Sequence, residues 1–139
     1  MNQHTSLSHV DAEKAIAAMK ADLERRGQAA VLAVADHHGE IITVLRLDGA
    51  PLPSLQIAMN KAWTAARERK PSREIGQASR DPKDGFDVAY FGDKRYIGWG
   101  GGLPVMLEGV CVGSVAVSGL PEMIDIEIAE VGLKAILER

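Results

Sequence analysis

The stretch LPVMLEGVCVGSVAVSG, residues 103–119, decides the fold class. Two apolar runs flank Glu108-Gly109, and the second alternates through β-branched side chains. Apolar runs on either side of a short Gly-containing turn read as a β-hairpin. A second hairpin lies upstream, where AAVLAVAD (29–36) and IITVLRL (41–47) flank HHGE. Hairpins make antiparallel pairs, which argues against a parallel doubly wound sheet. Helical patterns surround the hairpins. Ser8 is placed to cap a first helix, with Asp11 completing a capping box and Gly27 ending it. Its apolar stripe is Ala12, Ala15, Ile16, Met19 and Leu23. After the prolines of APLPS, a second helix runs from Ser54 to about Lys70, with Leu55, Ala58, Met59, Ala62 and Ala65 on one face. Ser54 is placed to cap this helix, Pro71 stops it, and Ser72 is placed to cap a short further helix to about Ser79. Residues 80–95 read as a loop with at most a short strand. Pro121 opens a last helix with Glu122 and Asp125 in its first turn and Ile124, Ile128, Val131 and Ala135 inward. The order helix, hairpin, helix, loop, hairpin, helix predicts an α+β fold: one antiparallel sheet with helices packed on it.

The chain of 139 residues suits a single domain, 1–139. A net charge of −3 gives no electrostatic case for a nucleic-acid partner. No apolar run reaches the length that spans a bilayer. The first ten residues lack the charged and apolar regions of a signal peptide. One cysteine, Cys111, excludes an internal disulfide and reads as a core filler in its strand. These features predict a cytoplasmic protein without a membrane partner.

Glycine is densest at YIGWGGGLPVM, residues 96–106. A phosphate-binding loop needs Gly-Lys-Ser/Thr opening a helix, but Leu103-Pro104 and a strand follow here. A dinucleotide fingerprint fails as well, because Leu103 stands where its third glycine belongs. What remains is a turn feeding the strand, or a loop whose backbone approaches a ligand or another chain. Among the histidines, His4 lies near the terminus. His37 and His38 are turn neighbours that would point apart in a strand-like backbone. His9, at the start of the first helix, is the candidate axial or proton-transfer ligand. Arg46 ends an apolar strand. Lys61 sits among small residues in NKAWTAA, where it must snorkel out, pair with an acid or hold an anion.

Six motifs carry a resemblance. They are VAD-x-x-G at 34–39, R-x-D-G-A at 46–50, I-A-x-x-K-A-x-T-A at 57–65, G-G-x-P at 101–104, V-x-V-S-G at 115–119 and D-x-x-I-A-x-x-G-L at 125–133. In this order and spacing the chain resembles the GlcG/HbpS family, which includes the C-terminal domain of PduO-type proteins. The resemblance implies a profilin-like three-layer α/β/α arrangement around a five-stranded antiparallel sheet. It implies a homo-oligomer, and haem or a related tetrapyrrole as a candidate cofactor. Gly100, Gly101 and Gly102 would be the family's loop beside the Lys61 helix. Membership fixes no reaction. The first helix has no histidine after His9 to match a haem ligand.

Two functional expectations result, beside a third in which the chain is a catabolic assembly or accessory subunit with no ligand. In the first, the protein binds an anionic planar molecule, with haem among the candidates. Arg46 and Lys61 pair with its carboxylates, the glycine loop supplies N–H groups, and Trp63 or Trp99 supplies a stacking face. In the second, it is a small catabolic enzyme, of isomerase, tautomerase or deaminase type, acting on a carboxylate-bearing metabolite. Lys61 would then be an acid/base lowered by burial and Arg46 the carboxylate anchor.

Overall fold

The computed structural model describes residues 1–138. The elements are α1 (His9–Arg26), β1 (Val31–Asp36), β2 (Ile41–Arg46), α2 (Ser54–Glu68), α3 (Ser72–Ser79), a 3-10 turn (Val88–Phe91), β3 (Gly102–Leu107), β4 (Val110–Ser118) and α4 (Glu122–Leu137). The two hairpins join through their inner strands into an antiparallel sheet of order β2-β1-β4-β3. Both positions of the β3–β4 turn, Glu108 (φ 50°) and Gly109 (φ 80°), are left-handed, as a tight hairpin of this twist requires. Central position explains why β1 and β4 are apolar almost throughout: both of their faces are covered. Leu32, Val34, Val115 and Val117 pack with α1 and α4 residues such as Met19, Leu23 and Ile128. Val31, Ala33, Ala35 and Ala116 meet Ala58 and Ala62 of α2 on the other face. Alanine on both sides of that second interface lets α2 lie close to the sheet.

The α+β class and the three layers agree with the sequence reading, but the sheet has four strands, not five. The residues between α3 and β3 explain the difference. There, side-chain carboxylates take up backbone donors locally. Asp81 accepts from Lys83 and Asp84 N–H, Asp87 from Ala89 N–H and Asp93 from Arg95 N–H. Such turns compete with a strand ladder for the same groups.

The ends of α1 follow their sequence signals, whereas Ser54 and Ser72, expected as caps, lie inside α2 and α3 behind Pro53 and Pro71, and neither helix has a side-chain cap. Ser8 and Asp11 form the capping box, and Gly27 closes α1 in the left-handed conformation. The inward face of α4 differs from the predicted one. Asp125, Ile128, Ala129, Gly132 and Ile136 are buried, while Val131 and Ala135 are half-buried. The helix is turned so that a carboxylate faces inward, for a reason found in the site.

The glycine loop is seated by α3. A Cβ on Gly76 would overlap the Gly98 carbonyl, so helix and loop touch backbone to backbone. Gly76→Ala is expected to cost about 2–3 kcal/mol in urea unfolding, the range of overpacking a tight interior. Gly92→Ala, in open space at φ 75°, should cost only the left-handed penalty of roughly 1 kcal/mol. Equal losses would show that α3 does not hold the loop.

Candidate functional site

Lys61 comes from the third turn of α2 and is 3 % exposed. Alanines surround it on the helix, so its stem crosses a layer of small side chains. Its Nζ donates to the Val117 carbonyl of β4 at 2.9 Å and to Asp125 Oδ2 of α4 at 3.2 Å. Asp125 is 2 % exposed, and its Oδ1 accepts from Leu120 N–H at 3.1 Å. One ammonium therefore ties α2, the end of β4 and α4 together. This pair turns α4 from its predicted face. Burial pulls the Lys61 ammonium below its ordinary range, and Asp125 opposes that pull. Burial likewise pushes the Asp125 carboxyl up, against Lys61 and the backbone N–H groups of Leu120 and Gly119.

The glycine loop closes over the pair. A Cβ at Gly101 (φ 124°) would lie 2.5 Å from the Val117 carbonyl and 2.9 Å from Lys61 Nζ. At Gly102 it would overlap the Lys61 carbonyl. These glycines are needed for close approach to α2 and β4, which answers the question their density raises. Gly102 N–H donates to Ser72 Oγ, whose hydroxyl donates to the Trp99 carbonyl at 2.7 Å. Gly100 N–H donates to Glu122 Oε1 at 2.6 Å, while Arg73 pairs with Glu122 Oε2 at 3.4 Å.

Above the pair opens a cleft of about 450 Å³ lined by Lys61, Asp125, Trp99, Gly100 and Glu122, with Pro51, Ile57 and Leu120 as apolar walls. Ser54 and Glu122, the first residues of α2 and α4, both line it. The positive ends of two helix dipoles thus meet the cleft.

The structure brings Lys61, Trp99 and Gly100 together, with Gly101 and Gly102 directly behind them. It separates the other sequence candidates. Arg46 is exposed on the outer strand β2 and lines a different cavity with Lys20, Glu24 and Asp48. It shares no cavity with Lys61 and is not placed to anchor the same ligand. Trp63, two residues from Lys61, is buried on another side of α2. Arg95 lies over its ring at 4.3 Å, and Tyr96 packs edge-on at 4.8 Å. It offers no stacking face to the cleft. Two of the loop's three glycine N–H groups are already engaged within the chain. His9 is exposed at the first position of α1 and does not line the cleft. Asp125 and Glu122 were legible only as first-turn acids. The available signal was an acid beside Ile124 and Ile128 on an apolar stripe, complementary to a lysine among alanines.

The chain belongs to the family described as haem degrading protein HbpS-like, which it matches over residues 7–134. It is 35% identical over 108 residues to the 15.0 kDa protein of the dhaT-dhaS intergenic region of Citrobacter freundii, covering 78% of this chain and 76% of that one. Its fold is similar to that of Klebsiella pneumoniae ORFY, with a TM-score of 0.91 and 28% identity over 100% of this chain and 96% of that one. The PduOC structure, solved as a haem complex, has the same fold at a TM-score of 0.88 and 24% identity, covering 96% of each chain.

Lys61→Met would leave Asp125 buried without its cation, expected to cost about 3–5 kcal/mol near neutral pH. The raised carboxyl sets the sign. Below the unfolded carboxylate value of about 3.9 the stranded group is protonated in both states, and the penalty is small. It should grow as pH rises through the higher folded value. Urea unfolding of wild type and variant between acid and neutral pH checks this; a pH-independent difference would contradict it. The double variant Lys61→Met/Asp125→Leu should recover much of the loss.

Proposed function

We propose that this chain binds a flat, mainly apolar ligand carrying an acidic group, with haem or a related tetrapyrrole first among the candidates. The observation that carries the reading is the Trp99 indole, 60 % exposed at the mouth of a cleft with apolar walls. An exposed indole on a loop held from behind is a ready stacking surface. The Lys61 ammonium and the dipole at the start of α2 take the place that Arg46 was expected to fill, favouring an acidic group beside them, while the start of α4 already carries Glu122 and Asp125. The family description and the haem-complexed relative of the same fold support a tetrapyrrole.

The residues present fit the ring of a haem better than its iron. Pro51, Ile57, Leu120 and Trp99 suit a macrocycle face. Among the described residues no histidine lines the cleft, so it offers iron no imidazole. The carboxylates there, Glu122 and Asp125, are engaged with Arg73, Gly100 and Lys61. When bound, haem would supply redox and oxygen chemistry. This chain's part would be to stack the ring, exclude water from one face and hold the acidic edge. Exposed Leu52, Trp99 and Met123 stand in or next in sequence to the cleft lining, which favours a homo-oligomer whose second copy covers its open side.

A second reading rests on Lys61 itself. A buried lysine with a lowered ammonium, lining a cleft and paired with a carboxylate, suits proton transfer on a small carboxylate-bearing substrate. Lys61→Arg keeps the charge and removes the tunable acid/base. Turnover of any small carboxylate that survives this change would exclude Lys61 from that role.

Haemin titration, read by the Soret band and by tryptophan quenching, tests the first reading. Wild type should show a saturable shift. Trp99→Ala should weaken it about tenfold, the equivalent of roughly 1.4 kcal/mol of lost stacking. His9→Ala should leave it unchanged. No saturable shift would overturn the tetrapyrrole, and an unaltered Trp99→Ala affinity would overturn the cleft as its site.

A further inference from the structure

Far from the cleft, the β1–β2 turn gathers imidazoles. His37 and His38 do not point apart as a strand-like backbone would place them. Asp36 Oδ1 accepts from both His38 N–H (2.8 Å) and Glu40 N–H (3.0 Å), curling the turn so that the two rings lie 3.8 Å apart. The N-terminal segment adds a third ring. It is strapped to the sheet by Leu7 N–H on the Val112 carbonyl and by Ser6 Oγ accepting from His37 N–H. Leu7 is buried as an anchor. His4 is thereby held against His37, with ring centroids 4.8 Å apart.

This cluster is unusual in what it leaves unsatisfied. Both ring nitrogens of His37 are shut off from solvent and have no hydrogen-bond partner among the described residues. An unmade bond at a buried polar atom costs about 1–3 kcal/mol. Stacked imidazoles also cannot all carry protons without mutual repulsion, and each neutral ring keeps one nitrogen lone pair. Donor atoms of Asp36, His37 and His38 all lie within 4.8 Å of one another. Two donors at ~2.1 Å from one ion sit ~3–4 Å apart, so small side-chain rotations suffice.

We propose that the β1–β2 turn binds a divalent transition metal of the zinc, nickel or copper class, through His37, His38 and the Asp36 carboxylate, with His4 as a further donor. Imidazole and carboxylate together suit this class and not calcium or magnesium. Cys111 lines the same cavity but is not a ligand. Its Sγ is held near the Ala66 and Gly113 carbonyls, and burial pushes its thiol up. Arg67 and Arg69 also line the cavity. Their charge opposes a dication, so affinity should fall below that of a closed structural zinc site.

Calorimetric titration of untagged, metal-free protein with Ni²⁺ and Zn²⁺ tests the proposal. One equivalent per chain should bind. His37→Ala/His38→Ala should lose at least tenfold in affinity with circular dichroism unchanged, and Cys111→Ser should lose nothing. Should the double variant fail to fold, the wild-type protein still decides. Substoichiometric Ni²⁺ should broaden the ring proton resonances of His4, His37 and His38 and spare His9, the remaining histidine. No saturable binding, equal broadening of His9, or a loss confined to Cys111→Ser would each overturn the site.

Discussion

The molecule is organised around a lysine that is almost wholly buried. Lys61 lies between α2 on one face of the sheet, α4 on the other and the end of β4 between them. Desolvating an ammonium costs several kcal/mol unless a carboxylate and further acceptors surround it. The Val117 carbonyl and Asp125 do so here. Each belongs to a different layer, so satisfying one charge fixes the relative position of three elements. A well-packed apolar pair could hold the layers together as firmly. It could not dictate rotation about the α4 axis in the same way, since it is Asp125 that sets which residues of α4 face inward.

That constraint reaches the glycine loop. With Lys61 Nζ and the Val117 carbonyl fixed, the chain entering β3 must pass within van der Waals distance of both. Only residues without a Cβ can follow that path. Ser72 from α3 and Glu122 from α4 then consume the loop's donors, and Gly76 seats its far end. Trp99 is the consequence. Its backbone is held from three sides while its ring is left in solvent. The loop is therefore rigid behind and sticky in front, which suits a binding surface better than a mobile lid.

Local signals were legible in the sequence where one residue type permits one geometry. Glu108-Gly109 gave the hairpin, Ser8 and Asp11 the capping box, and Gly27 the helix end. The strand count was not legible: residues 80–95 were left open to a short strand, the resemblance implied a fifth, and the local carboxylate turns of Asp81, Asp87 and Asp93 exclude it. Non-local facts were not legible. Periodicity showed that Lys61 lay on or beside a packed face, but not that its partner came from the chain's last helix. Arg46 looked equivalent to Lys61 because both were cations among apolar residues. The sheet order separates them: β2 is the outer strand at one edge, and the glycine loop leads into β3 at the other. Trp63 was misplaced because helical geometry turns a residue two positions away roughly to the opposite side of the axis.

The same ion pair bears on whether the cleft binds or catalyses. Two hydrogen bonds to Nζ leave one N–H of the ammonium for a ligand, and moving that proton would break the charge balance with Asp125. A proton transfer from Lys61 leaves a buried carboxylate alone unless the substrate becomes an anion in the same step or Asp125 is protonated with it. Binding asks for no such change, because the pair stays neutral as a unit while the apolar walls and Trp99 supply the contact. The energetics of the ion pair therefore favour the proposed binding over proton transfer. Catalysis would require a substrate whose developing negative charge, placed between the starts of α2 and α4, replaces the ammonium as the partner of the surrounding dipoles.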